Sequence, residues 1–155
     1  MTQPTAGMPA PPFEGTDQNG NRLKLSNFLG KKVVLYFYPK DNTPGCTAEA
    51  CSLRDNYEEL LKKGFVVLGV SPDSVASHGK FASKYELPFP LIADPEKKIL
   101  TEYGAYGEKT MYGKKVTGVI RTTFIIDEKG IIEKVIKKVD TKAHALQIFK
   151  LYENV

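Results

Sequence analysis

A chain of 155 residues and 17.2 kDa is long enough for one domain with its own hydrophobic core. Hydrophobic residues make up 41% and charged residues 26%, which excludes a disordered chain, and 22 Lys and Arg against 18 Asp and Glu leave a net charge of only +4. Because the basic residues are scattered in pairs, we expect no nucleic-acid binding. We predict a single domain over residues 1–155.

The two cysteines and two widely spaced histidines exclude a disulfide-stapled secreted scaffold and argue against a zinc site, so we expect no cofactor. The first ten residues hold neither a basic nor an apolar stretch, so we expect no secretory signal. The longest apolar runs, at 33–38 and 65–70, are too short to cross a membrane. We therefore expect a cytoplasmic protein without membrane contact, whose thiols are reactive or incidental.

The predicted elements alternate between strands and helices along the chain. A loose, proline-rich lead-in over residues 1–12 precedes a predicted hairpin over 13–25, with its turn at 17–20. Apolar, β-branched and aromatic runs predict strands at 32–38, 65–70 and 91–93 and a hairpin of 119–127 with 131–139. Apolar residues at helical spacing predict helices over 46–63, 75–85, 95–103 and 142–152.

This order of elements predicts an α/β protein. Alternating strands and helices imply right-handed crossovers and a sheet that is covered on both faces. A strand hairpin after the crossovers makes that sheet mixed. We therefore predict a thioredoxin-like fold, with a mixed central sheet flanked by helices and extended by an N-terminal β-hairpin.

The most informative segment lies between the strand at 32–38 and the following helix, where open α/β sheets usually hold their sites. Thr43 followed by Pro44 is typical of an N-cap and N1 pair, with the threonine hydroxyl accepting from first-turn amides. Cys46 then lies at about N3, where the helix dipole and unpaired amides favour the thiolate. A small buried apolar cysteine is the alternative. The position at a loop-to-helix junction favours a reactive thiol.

Cys51 follows Cys46 by five residues. On an intact helix this spacing separates the Cα atoms by roughly 8.7 Å and turns the side chains about 140° apart. A disulfide needs Cα atoms closer than about 7 Å. Either the two thiols never meet, or the first turns of the helix unwind when they do.

The segment Pro39-x-x-x-Thr43-x-x-Cys46, with Glu49 and then Cys51, resembles the active-site motif of the peroxiredoxins. The five-residue step between the cysteines resembles the bacterioferritin comigratory protein, or peroxiredoxin Q, subgroup. The similarity covers nearly the whole chain, from the proline-rich start to residues 121–127. It implies the thioredoxin-like fold that the order of elements also predicts.

The resemblance also implies a role for each motif residue. Cys46 is implied to be the peroxidatic cysteine and Cys51 the resolving one, while Pro39, Thr43 and Arg121 complete the peroxide pocket. Arg121 carries a permanent charge and a rigid fork of donors, suited to a thiolate and a developing oxyanion. Glu49, one turn beyond Cys46, either orients Arg121 or is simply a favourable residue early in a helix.

The function implied is that of an atypical 2-Cys, thioredoxin-dependent peroxidase in antioxidant defence. It reduces hydrogen peroxide and organic hydroperoxides through a sulfenic acid on Cys46 and an intramolecular disulfide with Cys51. Thioredoxin or glutaredoxin resets the dithiol, and the enzyme is a monomer or a weak homodimer. A thioredoxin-like disulfide reductase is less favoured, because it usually needs Cys-x-x-Cys at the helix start. A non-enzymatic alternative is a redox-switched binding module or holdase.

Other features carry little chemistry in the sequence. His78 and His144 have no acidic or thiol neighbours at ligand spacing, so we expect surface or capping roles for both. Residues 107–115 fail as a phosphate-binding loop, since the spacing is one residue too long and no Ser or Thr follows the lysine. Three tyrosines lie among the nearby glycines: Tyr103, Tyr106 and Tyr112. They either line the edge of a pocket or contact surface, or simply pack within a loop.

Overall fold

The computed structural model describes residues 3–152; residues 1–2 and 153–155, the ends of the predicted domain, lie outside the described part. Its strands are β1 Glu14–Thr16, β2 Arg22–Lys24, β3 Lys32–Phe37, β4 Phe65–Ser71, β5 Leu91–Ala93, β6 Tyr106–Met111, β7 Lys114–Val119, β8 Thr122–Ile126 and β9 Ile132–Ile136. Its α-helices are α1 Pro44–Asp55, α2 Tyr57–Lys62, α3 Val75–Tyr85, α4 Lys98–Glu102 and α5 His144–Leu151. A short 3-10 helix, Leu25–Phe28, follows β2.

Seven strands form one mixed sheet in the order β2-β1-β5-β4-β3-β8-β9. The central strands β3, β4 and β5 run parallel, whereas β8 pairs antiparallel with β3 and β9 pairs antiparallel with β8. The predicted N-terminal hairpin β1–β2 extends the other edge, where Thr16 of β1 pairs with Ala93 of β5. The predicted mixed sheet with an N-terminal hairpin is confirmed.

Strand β3 is buried on both faces, which explains its continuous apolar sequence. Val33, Leu35 and Phe37 pack in the cluster that includes α4. Val34 and Tyr36, followed by Tyr38 just past the strand, pack in the cluster that includes the other four helices. The carboxyl end of β3 therefore leads directly into the loop before α1, on the more helix-rich face.

The single helix predicted over 46–63 is wrong in its bounds. Helix α1 begins at Pro44, as the Thr43-Pro44 pair predicts, but it ends at Asp55 and a second helix follows. Asn56 leaves the helical region, with φ −114° and ψ 12°, and its side-chain amide donates to the carbonyl of Ser52 at 2.8 Å. This hydrogen bond satisfies a carbonyl in the last turn of α1. The non-helical backbone of Asn56 separates α1 from α2.

The hairpin of β6 and β7 was not predicted. It forms a separate two-stranded sheet, and most of its side chains are exposed. With no buried face, its sequence lacks the alternation that signals a strand. Tyr112 at its tip is 97% exposed with a left-handed φ of 54°, while Tyr103 is fully buried and its hydroxyl donates to the carbonyl of Pro11.

The lead-in is not loose over the residues that the structure describes. Backbone amides of Gly7 and Ala10 donate to the carbonyls of Ile132 and Gly130, at 2.7 Å and 2.9 Å. The Ile132 amide in turn donates to Met8. The lead-in therefore covers the β8–β9 turn, a long-range pairing that local composition did not predict. Across residues 3–152, none of the helices combines the length and apolar character needed to span a membrane.

Candidate active site

The thiol of Cys46 lies where the sequence predicts, in the first turn of α1. Thr43 is the N-cap in an extended conformation and Pro44 occupies N1, which places Cys46 at N3. The amide of Thr47 donates to the Thr43 carbonyl at 2.8 Å, closing the first helical turn. Only 1% of the Cys46 surface is exposed, so the thiol is almost completely covered while it faces the positive end of the helix.

The prediction that the Thr43 hydroxyl accepts a hydrogen bond from a first-turn amide is wrong. The hydroxyl donates instead to the carbonyl of Lys40 at 2.9 Å, and in the described structure it accepts from no first-turn amide. The reason is the tight turn that follows β3, in which the Lys40 carbonyl points back at Thr43. Because its hydrogen is committed to Lys40, the hydroxyl can still accept a hydrogen bond from another molecule.

Arg121 connects the thiol to the buried carboxyl group of Glu49. It immediately precedes β8, the antiparallel neighbour of β3. One guanidinium nitrogen, Nη2, donates to Cys46 Sγ at 3.2 Å, and the other, Nη1, donates to Glu49 Oε1 at 2.6 Å. The guanidinium lies close to the backbone at Gly45, where an added Cβ would be 3.4 Å from Nη2. Its planar fork thus reaches two groups of α1 at once.

Glu49 is fully buried, and its environment opposes ionisation. Burial raises its pKa from 4.5 to about 7, although the charge and hydrogen bond of Arg121 act in the opposite direction. Its second oxygen, Oε2, has no hydrogen-bond partner within the described residues and lies 3.5 Å from Nε2 of His144. The protonated, uncharged form of this carboxyl group is therefore populated near neutral pH.

His144 is fully buried, so the predicted surface or capping role is wrong. The Gln147 side-chain oxygen accepts from Nδ1 at 2.9 Å, and the Thr123 hydroxyl lies 2.8 Å from Nε2. The Gln147 oxygen can only accept, so Nδ1 carries a hydrogen, and the Thr123 hydroxyl can donate to Nε2 of a neutral ring. Burial lowers the pKa of His144 to about 4, with a further decrease from Arg121. Gln147 is three residues further along the same helix, but the burial of the ring and its contact with Thr123 of β8 depend on tertiary packing, which the sequence could not predict.

Cys51 and Pro39 are the remaining predicted site residues. Cys51 is partly exposed, and both cysteines are free thiols within the unbroken helix α1. Their five-residue spacing on that helix keeps the Cα atoms roughly 8.7 Å apart. Pro39 is partly buried at the start of the loop that joins β3 to α1.

A second polar cluster, missed in the sequence, flanks this loop. Asp41, Asp73 and His78 place one potential ligand atom each within 4.8 Å of one another. His78 is fully buried, which contradicts the predicted surface or capping role. All three groups hydrogen-bond within the protein. The signal available in the sequence was the position of Asp41 and Asp73 just after β3 and β4, at the edge where parallel strands place their sites.

A nearly buried thiol at a helix start, paired with an arginine on a mixed sheet of this order, defines a thioredoxin-fold protein with a reactive-cysteine site. Residues 6–135 match the AhpC/TSA family, and the chain belongs to that family. Peroxiredoxin Bcp of Bacillus subtilis is 46% identical over 147 residues, which cover 93% of this chain and 94% of the relative. Peroxiredoxin Bcp of Escherichia coli is 44% identical, covering 90% of this chain and 89% of the relative.

Comparison with solved structures also indicates a peroxiredoxin. A mutant of Xylella fastidiosa PrxQ superimposes with a TM-score of 0.88 at 30% identity, covering 97% of this chain and 96% of that one. The bacterioferritin comigratory protein of Xanthomonas campestris gives 0.84 at 35% identity, covering 90% and 88%. The predicted fold and family are confirmed. The protein is a peroxiredoxin, an antioxidant thiol peroxidase that reduces a peroxide at the expense of a thiol reductant.

Proposed function

We propose that the enzyme reduces hydrogen peroxide and organic hydroperoxides at Cys46, with Cys51 as the resolving thiol. The observation that carries this proposal is the 3.2 Å hydrogen bond from Arg121 to Cys46 Sγ at the start of α1. A thiolate in that position has a cation and a helix terminus to stabilise it. The organic substrates are supported by the Xanthomonas campestris relative, whose structure was described with its alkyl peroxide reduction activity.

In the first step, the Cys46 thiolate attacks one peroxide oxygen while the O–O bond breaks. The sulfur is oxidised to sulfenic acid, and the second oxygen leaves and is protonated to water or an alcohol. Arg121 stabilises the thiolate before attack and the developing negative oxygen during it. The Thr43 hydroxyl, whose hydrogen is committed to Lys40, accepts a hydrogen bond from the peroxide O–H. Pro39 limits access of water to the thiolate.

In the second step, the Cys51 thiol attacks the sulfenic sulfur. A disulfide forms, one water molecule is released, and Cys46 is protected from further oxidation. The spacing of the thiols on α1 exceeds the roughly 7 Å that a disulfide permits, so the first turns of the helix must unwind. A dithiol protein, thioredoxin or glutaredoxin, then reduces the disulfide by thiol exchange.

This cycle is complete within one chain. An intramolecular disulfide needs no cysteine from a second subunit, which supports a monomer or a weak homodimer. We also propose that residues 1–155 act as one domain, supported by the packing of both core clusters against a single sheet. A cytoplasmic location is proposed because the cycle needs a compartment that maintains free thiols.

The test is peroxide consumption by Cys46→Ser and Cys51→Ser with thioredoxin as reductant. Cys46→Ser should abolish consumption, because serine is not a nucleophile in this setting. Cys51→Ser should consume one equivalent and stop, with Cys46 trapped by a sulfenic-acid probe. Substantial turnover by Cys46→Ser would refute the assignment of the nucleophile, and normal steady-state cycling by Cys51→Ser would refute the resolving role.

A further inference from the structure

The carboxylate of Asp41 is the centre of a buried network beside the active-site loop. Its Oδ1 accepts from the Tyr38 hydroxyl at 2.6 Å. Its Oδ2 accepts from the Ser77 hydroxyl at 2.8 Å and lies 2.7 Å from Nδ1 of His78. Ser77 and His78 belong to the first turns of α3. The network therefore ties the middle of the loop before α1 to a different helix.

The contacts of the His78 ring make it a hydrogen-bonded partner of Asp41. Nε2 of His78 lies 3.1 Å from the carbonyl of Ile92, which can only accept, so this nitrogen carries a hydrogen. A second hydrogen must lie between Nδ1 and the carboxyl oxygen of Asp41. Burial raises the pKa of Asp41, but the hydrogen bonds from His78, Tyr38 and Ser77 outweigh burial and lower it. Asp41 is therefore a carboxylate that its three partners hold by hydrogen bonds.

The main chain of Asp41 is held as well as its side chain. Its amide donates to Oδ2 of Asp73 at 2.8 Å, and that oxygen also accepts from the Ser71 hydroxyl at 2.7 Å. The next residue, Asn42, adopts a left-handed φ of 59°, which is uncommon outside glycine. Its side-chain oxygen accepts from the Tyr85 hydroxyl at 3.0 Å. Asp41 and Asn42 are thus both held by tertiary hydrogen bonds.

Only Asn42 and the N-cap Thr43 separate Asp41 from the first residue of α1. An intact first turn is what places Cys46 beside Arg121. Unwinding of the same turn is what the proposed disulfide with Cys51 requires. A fixed Asp41 holds the upstream end of that turn in place, and a released Asp41 lets it move.

We propose that Asp41 and His78 are a positioning pair that holds the folded, peroxide-reactive form of the first turn of α1 against the unwound form in which Cys46 meets Cys51. This inference rests on the proposed function of the two cysteines. Neither residue touches the reacting atoms. Weakening the pair slows attack on peroxide, because the thiolate spends less time beside Arg121, and it speeds disulfide formation, because unwinding is easier.

A slower reaction of Cys46 with peroxide together with faster disulfide formation distinguishes a positioning role from a general structural role. The experiment follows single turnover of the full-length, reduced protein by rapid mixing. It records the second-order rate constant for loss of the Cys46 thiolate with hydrogen peroxide and the first-order rate constant for disulfide formation. Asp41→Asn keeps the side-chain shape and removes the charge. We expect the first rate constant to fall about ten- to hundredfold, and the second to rise.

Glu133→Gln is the matched control. Glu133 also accepts from a tyrosine hydroxyl, that of Tyr152, and pairs with a cation, Lys32, at 3.0 Å. This pair lies on β9 and β3, away from the first turn of α1. Its loss should lower stability and leave both rate constants as they are in the wild type.

Two further measurements keep the inference testable if Asp41→Asn folds poorly. His78→Gln should reproduce the opposite changes, and the double variant should add little to either single one, because each already breaks the pair. Under excess peroxide, both variants should accumulate less sulfinic acid on Cys46, since faster disulfide formation removes the sulfenic acid. Unchanged rate constants, or a parallel fall in both, would overturn the positioning role. Failure of the proposed function would appear separately, as peroxide turnover by Cys46→Ser.

Discussion

Replacing Glu49 by glutamine should change how the free energy of unfolding of the reduced protein depends on pH. Glu49 and His144 are buried side by side, with 3.5 Å between Oε2 and Nε2. Burial shifts their pKa values in opposite directions, upwards to about 7 for Glu49 and downwards to about 4 for His144. Between about pH 4 and about pH 7, both groups are therefore mainly neutral in the folded protein.

Whether stability rises or falls with pH depends on how many protons the folded and unfolded states bind. Between pH 4.5 and about 7 the folded protein keeps the Glu49 proton that the unfolded chain has lost, so unfolding becomes easier as the pH rises. Between about 4 and 6.5 the unfolded chain binds a proton at His144 that the folded protein refuses, so stability increases with pH. At ~1.4 kcal/mol per pH unit, each group contributes about 3 kcal/mol over its window. In the wild type the two slopes largely cancel.

Substituting Glu49 or His144 singly should reveal how each residue makes the free energy of unfolding depend on pH. Relative to the wild type, Glu49→Gln should gain stability as the pH rises from about 5 to about 7, by up to about 3 kcal/mol. His144→Gln should lose stability relative to the wild type as the pH rises from about 4.5 to about 6.5, by a similar amount. Denaturant unfolding in the presence of a reductant, repeated across this range, measures both differences. Taking each variant relative to the wild type removes the contribution of titrating groups that do not interact with the substituted side chain.

Glu133→Gln again serves as the control. Although burial raises the pKa of Glu133, the hydrogen bonds of Tyr152 and Lys32 lower it. Its contribution is therefore lost only as the pH falls below the ordinary carboxyl range, and its difference from the wild type should be constant between about pH 5 and about pH 7. A constant difference for Glu49→Gln as well would show that Glu49 is ionised throughout, which would refute the argument from burial.

Two further predictions concern Arg121 and the disulfide. Arg121→Lys keeps the charge but loses the fork that reaches Cys46 and Glu49 together, so the rate constant with hydrogen peroxide should fall about hundred- to thousandfold; an unchanged rate constant would make Arg121 only structural. Oxidation should reduce hydrogen-exchange protection over residues 46–53, because the disulfide unwinds the start of α1, while β3 keeps its protection. Equal protection of α1 in both forms would contradict a disulfide within one chain.

The sequence alone determined the features that depend on neighbouring residues. A Thr-Pro pair before Cys46 predicts the helix start, since proline suits N1, and the structure places the thiol at N3 as expected. The apolar run of β3 and the hairpin at the N-terminus were predicted for the same reason, because strand and turn signals are local. Arg121 was identified through resemblance to a family, because no local pattern links it to a cysteine 75 residues earlier.

Only the tertiary structure decided which polar groups are buried and what they face. His78 and His144 look alike in the sequence, yet one is hydrogen-bonded to a carboxylate, whereas the other is kept neutral by burial and contacts Gln147 and Thr123. Glu49 occupies a helix position that is often exposed, and α5 covers it. A side chain's charge state depends on the solvent and partners that surround it, and burial and most of those partners come from distant segments that meet only after the sheet and its helices have packed.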